Sequence, residues 1–162
     1  MNNRSKKIFL ALSIVVPFLL YSVYYYSKMV KNAPYRFSDF ESITLKAGES
    51  SDYEKIYNSK TRELQYLDVN DSLIKTKVKL TNDELLFLHR KAAELGFWDW
   101  PEKMIGDTSK PSPRYFLAFN YLNKGKTIEI NASYNDNPKL KDAALQLIKI
   151  VDKSIEDAAE RK

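Results

Sequence analysis

Residues 8–26, IFLALSIVVPFLLYSVYYY, run for 19 positions without a charge. No other stretch of the chain limits its fold so strongly. As a helix rising ~1.5 Å per residue, the run spans about 28 Å, close to the ~30 Å hydrocarbon core of a bilayer. It is apolar all round from Ile8 onward, which suits a membrane span better than a core helix with one apolar face. Tyr21, Tyr24, Tyr25 and Tyr26 gather at its C-terminal end with Lys28 just beyond, the placement that amphipathic rings favour at a membrane interface. Pro17 lies inside the run, where membrane helices accommodate a kink.

A cleaved signal peptide is the competing reading, because the basic leader NNRSKK precedes the apolar run. Cleavage wants small residues at alternate positions after the run. Here the run ends in tyrosines, and the first small-residue candidate, KNAP at 31–34, would leave Pro34 after the cut. An uncleaved signal anchor fits better. The division expected is a basic tail at 1–7, a transmembrane signal anchor at 8–26, a tether at 27–38 and a soluble domain at 39–162. Arg4, Lys6 and Lys7 before the helix stand against Lys28, Lys31 and Arg36 after it, a slight positive-inside bias. A short basic leader of this kind usually leaves the C-terminal domain outside the cytoplasm, so a single-pass protein with an extracytoplasmic domain is expected.

The formal charge of +5 suggests nucleic acid until it is divided. Six of the 26 basic residues and none of the 21 acidic ones fall in residues 1–36, leaving 20 bases against 21 acids in the rest. A near-neutral domain does not have the basic patch from which phosphate affinity comes, so no nucleic-acid partner is expected. The absence of cysteine excludes disulfides, thiolate metal sites, a cysteine nucleophile and a lipidated N-terminal cysteine.

Beyond the tether the pattern alternates. SLIKTKVKL, 72–80, places Ile74, Thr76, Val78 and Leu80 on one face and Lys75, Lys77 and Lys79 on the other, which predicts a strand with one wet side. RELQYLDV, 62–69, predicts its neighbour, joined to it through the turn-forming DVNDS. YEKIYNSKTREL reads as a hairpin turning at Asn58 to Thr61, and ESITLKAG, 41–48, as a weaker strand. LTNDELLFLHRKAAELG, 80–96, predicts a helix with a Thr81–Glu84 capping box, Gly96 at its C-cap and Leu85, Leu88, Ala92 and Leu95 at helical spacing. A second hairpin is expected across RYFLAFNYLNKGKTIEINASY, turning at Gly125. Asn137 and Pro138 open a last helix to about Ala158, with an apolar stripe of Leu140, Ala143, Ala144, Leu147, Val151 and Ile155. Connections this short join antiparallel strands. The expected architecture is α+β: a transmembrane helix, then an antiparallel sheet of about 5–6 strands packed on one face by two helices.

This layout, with KLTNDELLFLHRKAAELGFWDWPE between the two hairpins and a helix at the end, resembles small membrane-anchored or lipoprotein-like bacterial domains of unknown function. The resemblance covers about residues 50–157. It implies an envelope location and assigns no catalytic residue.

Chemistry is sparsely written. His89, the one histidine, sits mid-helix with no orienting partner in the sequence and reads as structural. No serine-hydrolase elbow, phosphate loop or dinucleotide motif can be built from four glycines, Gly48, Gly96, Gly106 and Gly125. DVNDS and NDNP do not have the ligand run of a calcium loop and read as a turn and a helix cap. No catalytic residue, metal or cofactor is expected. The lysine stripe reads as a solvated face paired to acids on neighbouring strands such as Glu63, and its charges discourage edge aggregation; contact with anionic lipid is the alternative. GFWDWPE, 96–102, reads as a plug: Phe97 packs back on the helix just ended and at least one indole closes the core. Tyr115, Phe119 and Tyr121 share one face of strand 114–122 and Phe116 and Leu122 the other, and a Pro-rich loop from Trp98 to Pro113 runs beside it. Trp98, Trp100, Tyr115 and Tyr121 are therefore candidate contacts for another envelope protein. The alternatives are an enzyme that processes envelope carbohydrate or peptide with Asp99, Glu102 and Asp107 beside the tryptophans, and a membrane-bound immunity-type protein.

Overall fold

The structure, a computed structural model, describes residues 3–32, 35–49 and 52–161. The Ala33–Pro34 step of the cleavage reading lies outside them. Contacts divide the chain into two units, Met1–Arg36 and Phe37–Lys162. In the first unit, helix α1 (Asn3–Asn32) extends past both ends of the apolar run and contains Pro17. Its segment Lys6–Ser27, 22 residues with a mean hydropathy of 2.1, is long and apolar enough to cross a membrane.

The second unit is α+β. A seven-stranded sheet is built from β1 (Phe40–Glu49), β2 (Lys55–Asn58), β3 (Glu63–Leu67), β4 (Leu73–Lys77), β5 (Lys103–Met104), β6 (Pro113–Tyr121) and β7 (Lys124–Asn131), in the order β4-β3-β2-β1-β6-β7-β5. The strand count exceeds the expected 5–6 because β5 joins the far edge. β5 pairs with β7 in parallel, and every other pairing is antiparallel. Helices α2 (Asn82–Leu95) and α3 (Pro138–Glu160) complete the unit.

Strand alternation decides which face the helices cover. Ile43 and Leu45 of β1, Tyr57 of β2, Leu64 of β3, Leu117 and Phe119 of β6, and Ile128 and Ile130 of β7 are buried. In register they lie opposite one another, Leu45 against both Tyr57 and Leu117 and Ile43 against Phe119, so they form one apolar face. Leu88 and Ala92 of α2 and Ala144, Leu147, Ile148, Val151, Ile155 and Ala158 of α3 supply the other half of the core. The ammonium of Lys55 on the same sheet face reaches Asp152 and Glu156 of α3 at 2.6 and 3.0 Å. Burial pulls the Lys55 ammonium down, but these two carboxylates outweigh it and hold it above its ordinary value.

The capping signals form as read. Thr81 and Glu84 make a reciprocal box, Gly96 is left-handed at φ 82, and the Asn137 side chain accepts from the Leu140 N–H at the start of α3. Gly125 does not make the second hairpin's turn. Leu122 and Asn123 separate β6 from β7, Tyr121 pairs with Lys124, and Gly125 sits in β7 opposite Asn120. Glycine suits that place because a Cβ would lie 3.1 Å from the Asn120 side-chain oxygen.

Candidate functional site

The stretch GFWDWPE closes the core. After the left-handed Gly96 the chain makes one 3-10 turn, Phe97–Asp99, and leaves it in extended conformation at Trp100. Phe97 is fully buried, and Trp98 and Trp100 are 8% and 7% exposed. Their rings pack edge to face around Phe97, with centroids 5.0 Å apart for Trp98 and 5.6 Å for Trp100. Phe119 of β6 meets both Phe97 and Trp98. The Lys126 ammonium donates to the Trp100 carbonyl and ties the stretch to β7. Three of the four candidate contacts are therefore core residues: Trp98, Trp100 and Tyr121, the last 4% exposed. Tyr115 is half-buried beside Ile130. The reason is geometric, since Tyr115, Leu117, Phe119 and Tyr121 alternate onto the core face of β6, and the aromatic side chains that looked available are those the core needs.

The other side of β6 is mixed, with Phe116 and Ala118 between the polar Arg114 and Asn120. Arg114 pairs with Glu129 at 2.8 Å, Asn120 donates to the Ser42 hydroxyl at 3.1 Å, and Lys46 lies 5.0 Å from the centre of the Phe116 ring. The Trp98–Pro113 connection is pinned along β7. The Glu129 N–H donates to the Glu102 carbonyl at 2.7 Å, the Gly106 N–H to the Asn131 side chain at 2.8 Å, and the Ser133 hydroxyl to the Asp107 carbonyl at 2.6 Å.

His89 belongs to the same aromatic cluster. Its ring packs against Phe37, Trp98 and Tyr121. Its Nδ1 lies 2.8 Å from the Tyr121 hydroxyl, and burial lowers its pKa, favouring the neutral ring. Asp99, Glu102 and Asp107 are exposed. The Asp107 carboxylate accepts the Ser109 N–H at 2.8 Å, which caps its own turn. Asp68 accepts from the N–H groups of Asn70 and Ser72 in the same manner, at 2.8 and 2.9 Å. Among the described residues no group of three or more histidines and acids is placed to hold a metal ion.

The concave surface lies at the opposite edge of the sheet. A groove of about 690 Å³ runs between β2–β4 and the last turns of α3. Leu64, Tyr66 and Ile74 form its floor, and Glu156, Ala159 and Glu160 of α3 form one wall. At this edge Tyr66, Leu67 and Leu73 are exposed, Leu73 to 56%, and Val69 at the hairpin tip is fully exposed. The buried end of this edge is anchored by Tyr57, whose hydroxyl donates to the Val78 carbonyl at 3.2 Å and whose pKa burial pushes up to about 12. No sequence reading singled out this groove. One signal was available: Leu67 and Leu73 are paired on the same face as Lys75 and Lys77, out of phase with the buried Val78 and Leu80.

Neither a protein-family model nor a curated protein matches this chain.

Proposed function

We propose that the protein is a single-pass membrane protein whose α+β domain lies outside the cytoplasm and acts by binding another protein of the cell envelope. The observation that carries this reading is the outer edge of the sheet, where Leu67, Val69 and Leu73 are exposed and a groove lined by Leu64, Leu67 and Ile74 lies on the helix side. Exposed apolar side chains clustered beside a concavity mark interaction surfaces. The span at Lys6–Ser27 supports the membrane location, and the near-neutral charge of the domain supports a protein partner over a phosphate-bearing one.

The test is photocrosslinking in cells, with a photoreactive residue at Leu73 and a matched one at Lys103 on the opposite sheet edge, together with a C-terminal reporter active only outside the cytoplasm. A discrete adduct to an envelope protein from position 73 and not from 103, with an active reporter, is the expected result. An inactive reporter refutes the topology. Absence of a specific adduct from position 73 refutes the binding surface.

A further inference from the structure

We infer that the free edge of β4 takes up an extended segment of its partner as an eighth strand, one with acidic residues on one face and apolar residues on the other. This rests on the binding reading above and names how the partner docks.

The hydrogen-bond phase of β4 comes first. The Val78 N–H donates to the Arg62 carbonyl and the Asp68 N–H to the Ser72 carbonyl, bracketing a ladder in which Leu64 opposes Thr76 and Tyr66 opposes Ile74. In an antiparallel pair, hydrogen-bonded positions alternate. The even-numbered residues of β4 therefore turn their backbone groups to β3. Leu73, Lys75 and Lys77 turn theirs outward, and β4 is the last strand of the sheet on that side. Three consecutive outward positions are a template for strand addition.

The side chains set what can dock there. Lys75 and Lys77 are exposed on the open face of the sheet, opposite Gln65 and Glu63 of β3, and neither makes an ion pair within 4 Å among the described residues. A strand laid beside β4 places alternate side chains directly opposite these two lysines, where opposite charges stabilise and like charges destabilise. Its other side chains fall on the helix side, over the groove floored by Leu64 and Ile74. Glu156 and Glu160 border that side, so a one-residue slip would carry the acids of the incoming strand against acids of α3. The register is thereby fixed from both faces. A second copy does not meet these terms: the two-fold pairing that covers all of Leu73–Lys77 sets Lys75 against Lys75.

The test uses the full chain in detergent micelles and two seven-residue peptide probes, one alternating Glu and Val and one alternating Lys and Val, with hydrogen exchange read at individual amides. The Glu–Val peptide should slow exchange of the Lys75 and Lys77 amides about tenfold more than the Lys–Val peptide does, a discrimination of ~1.4 kcal/mol. A Lys75→Glu, Lys77→Glu double variant should reverse the preference, with unchanged protection at Leu64 confirming that it is folded. A Glu–Val peptide N-methylated at alternate residues should give no protection. Unchanged Lys75 and Lys77 amides, or equal protection by both peptides, overturns the inference. A native adduct at Leu73 combined with unprotected edge amides keeps the binding reading and overturns strand addition alone.

Discussion

The C-terminal end of α3 is fastened to the start of α2 by one carboxylate, and its contribution to stability should depend on pH. Glu84 accepts the Thr81 N–H and hydroxyl at 2.8 and 2.9 Å, and its other oxygen pairs with the Arg161 guanidinium at 2.6 Å. Arg161 first, then the hydrogen bonds from Thr81, hold the Glu84 carboxyl far below its ordinary value of 4.5, at about 2. At ~1.4 kcal/mol per pH unit such a depression corresponds to roughly 3 kcal/mol. The Arg161 side chain is 49% exposed, and solvent screening of a half-exposed partner reduces the contribution to about 1–2 kcal/mol.

The folded-state pKa is depressed, so this stability is fully present above the unfolded value and is lost as pH falls from about 4.5 toward 2. At pH 3 most of it should be gone. Glu84→Gln keeps an oxygen that can accept from Thr81 and removes the charge that Arg161 needs. Urea unfolding followed by tryptophan emission should show the variant about 1–2 kcal/mol less stable at pH 7, with less than half that gap at pH 3. Arg161→Ala should reproduce most of the pH 7 loss, and the double variant should lose less than the sum of the two. Equal gaps at pH 7 and pH 3, or additive single variants, would refute the coupling.

Three further outcomes follow from the packing. Phe97→Ala, emptying a fully buried site beneath both tryptophans, should cost about 3–5 kcal/mol in thermal or urea unfolding. Trp98 and Trp100 should give blue-shifted emission that iodide quenches weakly; a red-shifted, readily quenched spectrum contradicts the core assignment. Gly106→Ala places a Cβ 2.3 Å from the Ser133 carbonyl oxygen, so the loop must shift at a cost of about 1–3 kcal/mol, read as a lowered urea midpoint.

The elements legible in the sequence were those whose signals are local. The Thr81–Glu84 box, Gly96 and the Asn137–Pro138 start each involve residues within a few positions, and all three form. β1 reads weakly because only Ile43 and Leu45 are large apolar residues facing the core, yet it is the central strand of the sheet. Its rank comes from pairing with β6, 64 to 81 positions away. β5 has two residues and no period to detect, and a backbone bond from Glu129 to Glu102 sets it in place. The aromatic residues of β6 were visible, but their destination was not, because sidedness depends on which face the helices choose. The groove was hidden for a related reason: its lining comes from β2, β3, β4 and the last turns of α3, about 80 to 100 positions apart in the sequence.

Lys75 and Lys77 connect these levels. As part of a period-2 pattern they mark the solvated face of β4, and as charges on a terminal strand they oppose pairing with an identical edge. Both effects have the same electrostatic origin, and neither removes the outward backbone groups that make the edge competent to pair. An edge protected by charge, with no proline in β4, stays closed to its own copies while remaining open to a strand of opposite sign. Selectivity of this kind depends on charge and not on shape, so exchanging the two lysines for glutamates should change which strand is accepted without changing the fold.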